Sequence, residues 1–143
     1  MSTTSLSSRV DFSGRVTIVG CGSIGQGILP IIGRHIPIDG DRRLLVLSAD
    51  EQGRGLAQKC GAHFEHAHLT PQNHRRVLGR HVKAGDLVLN LSVNVASLDL
   101  IRFCAEQGAL YVDTSIEPWP GARSSDRSSV KSWKLKVPSE SSS

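Results

Sequence analysis

Three glycines in the run Gly20-Cys21-Gly22-Ser23-Ile24-Gly25 could hold a phosphate group with backbone alone. Gly20 permits a tight turn, Gly22 lets the chain approach a pyrophosphate, and Gly25 lets a following helix pack close to its strand. The anion would rest on the N–H groups of Ser23 and Ile24, where the positive end of the helix favours negative charge. Glycine triplets also recur by chance in turns, so the pattern carries weight only between a strand and a helix. A second group belongs at the end of the next strand, where an acidic residue accepts the adenosine ribose hydroxyls of a dinucleotide. Here Ser48 occupies that place and Asp50 follows two residues on. Asp50 either reaches the ribose or caps the following helix, with Glu51 in its first turn. No basic cluster follows Ser48, which favours NAD over NADP.

The elements needed to position these residues can be read along the chain. Residues 15–20, RVTIVG, form a β-branched run ending in glycine, a buried strand feeding a turn. Ser23 can cap the next helix, and Ile24, Ile28, Leu29, Ile31 and Ile32 give it a broad apolar side, against the weakening effect of Gly25, Gly27 and Pro30. Residues 36–42 are a turn and 44–48, LLVLS, a second strand. Further on, 51–60 reads as a short helix, 62–67 as a third strand, and Thr70-Pro71 as the cap of a helix running to about residue 80. Residues 86–92, DLVLNLS, form a strand; 97–107 a helix closed by Gly108; and 109–113, ALYVD, a fifth strand. Strand and helix in alternation predict an α/β fold, a doubly wound parallel sheet of Rossmann type in a single domain over residues 15–121.

In such sheets ligands bind beyond the carboxyl ends of the strands. Asn90, Ser92 and Asn94 follow the fourth strand, and Glu117 and Trp119 follow the fifth. Amides and hydroxyls suit a nicotinamide carboxamide, while a carboxylate beside an aromatic face suits a cationic substrate. The same groups could equally satisfy loop backbone.

With 143 residues there is room for one domain and a core, not for a cofactor domain plus a substrate domain. No apolar run approaches the roughly 20 residues of a membrane span, and residues 1–14 form a polar arm without the marks of a secretory signal. The expectation is a soluble, cytoplasmic protein with no membrane partner. Cys21, Cys60 and Cys104 are odd in number, widely spaced and without a CxxC pair, so reduced thiols are expected. The net charge of +4 might point to nucleic acid, but residues 1–121 carry only +1 and 122–143 carry +3. That last segment has nine serines and one aromatic, Trp133, and is expected to be a disordered, solvated tail rather than a nucleic-acid surface. His63, His66 and His68 crowd one short segment, yet their spacing lacks the helical i, i+4 pair of a zinc site, and no metal is expected.

Three longer strings go beyond the generic glycine pattern: VTIVGCGSIGQGILPIIGRHI, LNLSVNVASLDLI and GALYVDTSIEPWPG. Over residues 10–121 they resemble the N-terminal, NAD-binding part of bacterial homospermidine synthases, relatives of the saccharopine dehydrogenase group. The resemblance implies polyamine chemistry in a homodimer. A hydride passes from a putrescine or spermidine carbon to NAD, a second putrescine exchanges at the resulting imine, and the hydride returns to leave homospermidine. It also implies cofactor contacts at Gly20, Gly22, Ser23, Ile24, Gly25, Asn90 and Ser92, an acidic polyamine contact at Glu117, and a place for Asn94 in the same region. This chain departs from the family pattern in having Ser48 and Asn94 where aspartates are usual. After Gly121 nothing resembles the family's long substrate and dimerisation region, so a truncated, catalytically silent form is expected. The alternatives are a stand-alone NAD-binding module or a degenerate gene product.

Overall fold

The strand and helix signals form nine alternating segments, and the fold follows them in order. The computed structural model describes residues 12–36, 43–114 and 117–122. Within them lie β1 (Val16–Val19), α1 (Ser23–His35), β2 (Leu44–Ser48), α2 (Arg54–Lys59) and β3 (His63–His66), then α3 (His74–Gly79), β4 (Leu87–Asn90), α4 (Ser97–Gln107) and β5 (Leu110–Asp113). The sheet order is β3-β2-β1-β4-β5 and every neighbouring pair is parallel. From β1 the chain winds outward through β2 and β3, then crosses back to β4 on the other side. The resulting switch point, between β1 and β4, is where a parallel sheet opens a crevice.

β1 and β2 are buried at every position, as strands covered on both faces must be. Alternate side chains divide between two cores. Val16, Ile18, Leu44, Val46 and Leu89 meet Leu29 and Ile32 of α1 and Ala57 of α2. Val19, Leu45, Leu47 and Val88 meet Val77 and Leu78 of α3 and Leu100, Phe103 and Cys104 of α4. At the opposite end of the sheet Asp86 ties β1 to β4, accepting the N–H groups of Arg15 at 2.9 Å and Lys83 at 2.8 Å.

Several boundaries shift for physical reasons. Gly22, in extended backbone, is the N-cap of α1, so Ser23 is its first residue and makes no capping bond. α1 runs unbroken through Pro30, burying Leu29 and Ile32 while Ile24 and Ile31 stay exposed. α2 begins at Arg54, because Asp50 Oδ1 accepts the Gln52 N–H at 3.0 Å and holds the preceding residues in a turn. Thr70 and Asn73 exchange backbone-to-side-chain bonds of 2.7 and 3.2 Å, the reciprocal pattern of a capping box. α3 starts just past them, at His74. α4 spans the expected residues and ends at Gly108, whose φ of 75° is the left-handed cap that a β-carbon would penalise. Among the described residues no helix is long and apolar enough to cross a membrane. The polar arm up to residue 11, the turn at 37–42 and the tail from 123 onward lie outside the described residues.

Candidate dinucleotide-binding site

Above the switch point lies a cleft of about 360 Å³. Its walls come from the glycine turn, the ends of β2 and β4 and the loop after β3, and include Gly20, Gly22, Ser23, Ile24, Asp50, Ser92 and Asn94. The three glycines do different work there. Gly20 has φ +90°, and a β-carbon on it would lie 2.9 Å from the Ser92 backbone nitrogen. A β-carbon on Gly25 would lie 3.0 Å from the Gly20 carbonyl, so α1 is pressed against the turn. Gly22 would meet nothing within 4 Å, since its α-carbon faces the open cleft. α1 has no side-chain cap and no acidic residue in its first turn. Its first-turn N–H groups, which have no acceptor within the helix, are left for an anion. Turn, open α-carbon and uncapped helix together fit the pyrophosphate of a dinucleotide.

At the end of β2, Asp50 does not cap α2, whose N-cap is Gly53. The Asp50 carboxylate caps the turn through Gln52 and also lines the cleft. Ser48 is buried at the end of β2, with its Oγ 3.5 Å from the Asp50 nitrogen. Arg54 is engaged elsewhere, pairing with Glu51 and lying over the Phe64 ring at 4.6 Å. His66 bonds the Ala49 carbonyl at 2.8 Å, whereas His68 reaches the cleft wall. Among the described residues no cluster of three or more His, Cys, Asp or Glu side chains could hold a metal ion.

The ends of β4 and β5 are built differently. Asn90 is fully buried beneath the cleft; its Oδ1 accepts the Ser92 N–H at 3.1 Å and its Nδ2 donates to the Tyr111 hydroxyl at 3.1 Å. Tyr111 in turn donates to Asp113 Oδ2 at 2.6 Å. Burial, then the bond to Asp113, pushes the Tyr111 pKa well above that of a free phenol and keeps it a donor. Glu117 exchanges backbone bonds with Ser97, accepting at its carbonyl and donating its N–H to Ser97 Oγ. Trp119 donates Nε1 to Asp99 Oδ2 at 2.6 Å and lies 5.5 Å from the His74 ring. Glu117 and Trp119 therefore sit at the start of α4 and not in the cleft wall, and Gly25 lies behind the turn.

Cys21, inside the glycine turn, is 1 % exposed, and a β-carbon on Gly53 would lie 2.1 Å from its sulfur. Burial, then the Asp50 carboxylate, then Cys60, raises its pKa and leaves an unreactive thiol. Burial alone pushes Cys104 to about 11. Sequence reasoning missed the Gly53–Cys21 contact and the Asn90–Tyr111–Asp113 chain. The latter had a signal: the aligned ends of DLVLN and ALYVD put Asn90 beside Asp113 in the register of β4 and β5.

Residues 16–138 match the family described as the saccharopine dehydrogenase NADP binding domain. The chain is 40 % identical over 116 residues to a homospermidine synthase of Blastochloris viridis, covering 79 % of this chain and 24 % of that protein. It is 38 % identical over 114 residues to one of Mesorhizobium japonicum, covering 78 % and 23 %. The crystal structure of a Legionella pneumophila homospermidine synthase in complex with NAD superposes with a TM-score of 0.80 at 31 % identity, over 90 % of this chain and 28 % of that one. The chain thus spans about a quarter of the length of the curated relatives it matches. A parallel sheet with its glycine turn at the switch point, matched over nearly all its described residues, makes this chain a member of the saccharopine dehydrogenase NADP binding domain family.

Proposed function

We propose that this chain is the NAD-binding domain of a homospermidine synthase, and that alone it binds NAD without forming homospermidine. The observation that carries the cofactor half is the uncapped N-terminus of α1 opening onto the cleft beside Gly22. NAD, when bound, supplies the acceptor and donor of hydride for aminobutyl transfer between putrescine or spermidine and putrescine. The chain's own residues hold it. The first-turn amides of Ser23 and Ile24 take the pyrophosphate, and the Asp50 carboxylate, whose Oδ1 is anchored by Gln52, takes the adenosine ribose. Ser92 and Asn94 line the far end of the cleft, and Asn90 fixes their loop from below. The carboxylate at Asp50 would repel a 2′-phosphate, which favours NAD over NADP.

Glu117, Trp119 and Asn94 are the residues proposed to meet a polyamine. Asp99 already holds the Trp119 indole in place at the start of α4. Turnover needs both amines positioned at the reacting carbon, and loss of such positioning slows a reaction by many orders of magnitude. The relatives carry about three quarters of their length outside the matched region, which supports placing that machinery there. Calorimetric titration of the purified chain with NAD and NADP tests the reading. NAD should bind more tightly than NADP, and no binding of either overturns it. Homospermidine formed from putrescine and NAD by the 143-residue chain alone would overturn the second half.

A further inference from the structure

The dinucleotide cleft takes up the carboxyl end of the sheet, and a second hollow, of about 330 Å³, lies at the amino end. Its walls are the residues that lead into β1, β2 and β4 together with the end of α3. They carry Arg15, Arg43, Arg80, His81 and Lys83 against a single carboxylate, Asp86. That carboxylate is already committed, because both its oxygens accept backbone N–H groups, from Arg15 and from Lys83.

The cations keep most of their donors. Arg43 spends Nη2 on the Phe12 and Gly14 carbonyls at 2.8 and 2.9 Å, and Arg15 spends Nη1 on the His81 carbonyl at 3.3 Å. A guanidinium has more N–H groups than these carbonyls use. Arg80 and the Lys83 ammonium, both exposed, have no hydrogen bond or ion pair among the described residues. The backbone around these charges is interlocked. A β-carbon on Gly14 would run into the Gly85 carbonyl, and Gly85 donates its own N–H to the Gly108 carbonyl at 3.0 Å. Arg15 and Arg80 also approach one ring: after burial, and against Glu65, both lower the His81 pKa. Like charges held together in a half-closed hollow repel one another, and an anion between them relieves the repulsion.

We propose that this hollow binds an oligophosphate, inorganic or carried by a nucleotide, on Arg15 and Arg43 within and on Arg80 and Lys83 at its rim. Guanidinium forks match phosphate oxygens in pairs. Adjoining phosphates bring several negative charges within a few bond lengths, whereas an acidic peptide would have to crowd as many side chains into the same space. The site lies apart from the dinucleotide cleft and does not rest on the function proposed for it.

Calorimetry of the full chain carrying Gly22→Asp, so that the cleft does not compete, tests this with tripolyphosphate and with ATP as probes. An ionic strength of about 0.15 M suppresses loose surface charge. Tripolyphosphate should bind. Tighter binding of ATP assigns the phosphates to a nucleotide, and binding of tripolyphosphate as tight or tighter assigns them to the phosphate chain alone. Adding Arg80→Gln and Lys83→Gln should weaken binding on the order of 100-fold. Arg76→Gln, at an exposed position of α3 outside the hollow, should leave it unchanged. No binding of tripolyphosphate overturns the proposal, as does binding that the Arg80 and Lys83 changes leave intact. An equal loss from Arg76→Gln overturns it by making the effect one of surface charge. Tighter binding of a tetraglutamate peptide overturns it by making the ligand a carboxylate segment.

Discussion

The glycine turn and the β4–β5 ends lie at the same carboxyl end of one sheet, yet they treat their polar groups in opposite ways. The turn leaves backbone donors unspent, with no side-chain cap on α1 and an open α-carbon at Gly22. The β4–β5 ends consume theirs: Asn90 on Ser92 and Tyr111, Tyr111 on Asp113, Trp119 on Asp99. A polar group already bonded at good geometry gains little from a ligand, whereas an unpaired helix N-terminus gains an anion. On the proposed function, anion binding belongs to the turn, and the side-chain network is the frame that holds the neighbouring loop.

The contrast separates affinity from stability. Gly22→Asp puts a carboxylate at the proposed pyrophosphate site, with a β-carbon that meets nothing within 4 Å, so calorimetry should show roughly a 100-fold loss of NAD affinity, about 2.7 kcal/mol. Its melting temperature should stay near that of wild type. Unchanged affinity would remove the turn from the anion site. Gly53→Ala drives a β-carbon into Cys21, and denaturant titration should register about 2 kcal/mol of overpacking. Adding Cys21→Ala should return part of it, and full wild-type stability of the single variant would deny the contact. Tyr111→Phe strands the buried Asn90 amide and should cost about 1 kcal/mol with NAD affinity nearly kept; a large affinity loss with intact stability would move Tyr111 from frame to site.

The smallest effect concerns pH. Burial, partly opposed by Glu65 and reinforced by Arg15 and Arg80, lowers the His81 pKa below its ordinary 6.5. His81 Nε2 is 3.1 Å from Glu65 Oε2. Because the folded state holds the proton less well than the unfolded one, His81's contribution is present above pH 6.5 and is lost as pH falls below it. Melting curves between pH 7.5 and about 5 should show this slope, and His81→Gln should flatten it. An unchanged slope would place the titration elsewhere.

The sheet was legible because its strands are apolar runs closed by turn residues, and buried parallel strands read that way regardless of context. The glycine turn was legible for the same local reason. What escaped were contacts between segments distant in the chain. Nothing near residue 21 says that Gly53 will rest against its sulfur, and nothing near Trp119 says that Asp99 will claim the indole. α2 and α3 began later than expected because Asp50 and Thr70 cap turns ahead of the helices. The nature of the Asp50 side chain was plain in the sequence; that it could cap a turn and face the cleft at once required the fold.

Gly20 rests so close to the Ser92 backbone that the loop after β1 and the loop after β4 form one packed unit, with Asn90 pinning the second from beneath. A long, hinged ligand arriving there meets two contact regions whose separation is already set. Little motion must be frozen out of the protein on binding, and pre-set geometry of that kind lowers the entropic cost of association. The heat of NAD binding should accordingly appear without a large opposing entropy from loop ordering, and the association rate should rise in step with ligand concentration, with no plateau from a slow closing step.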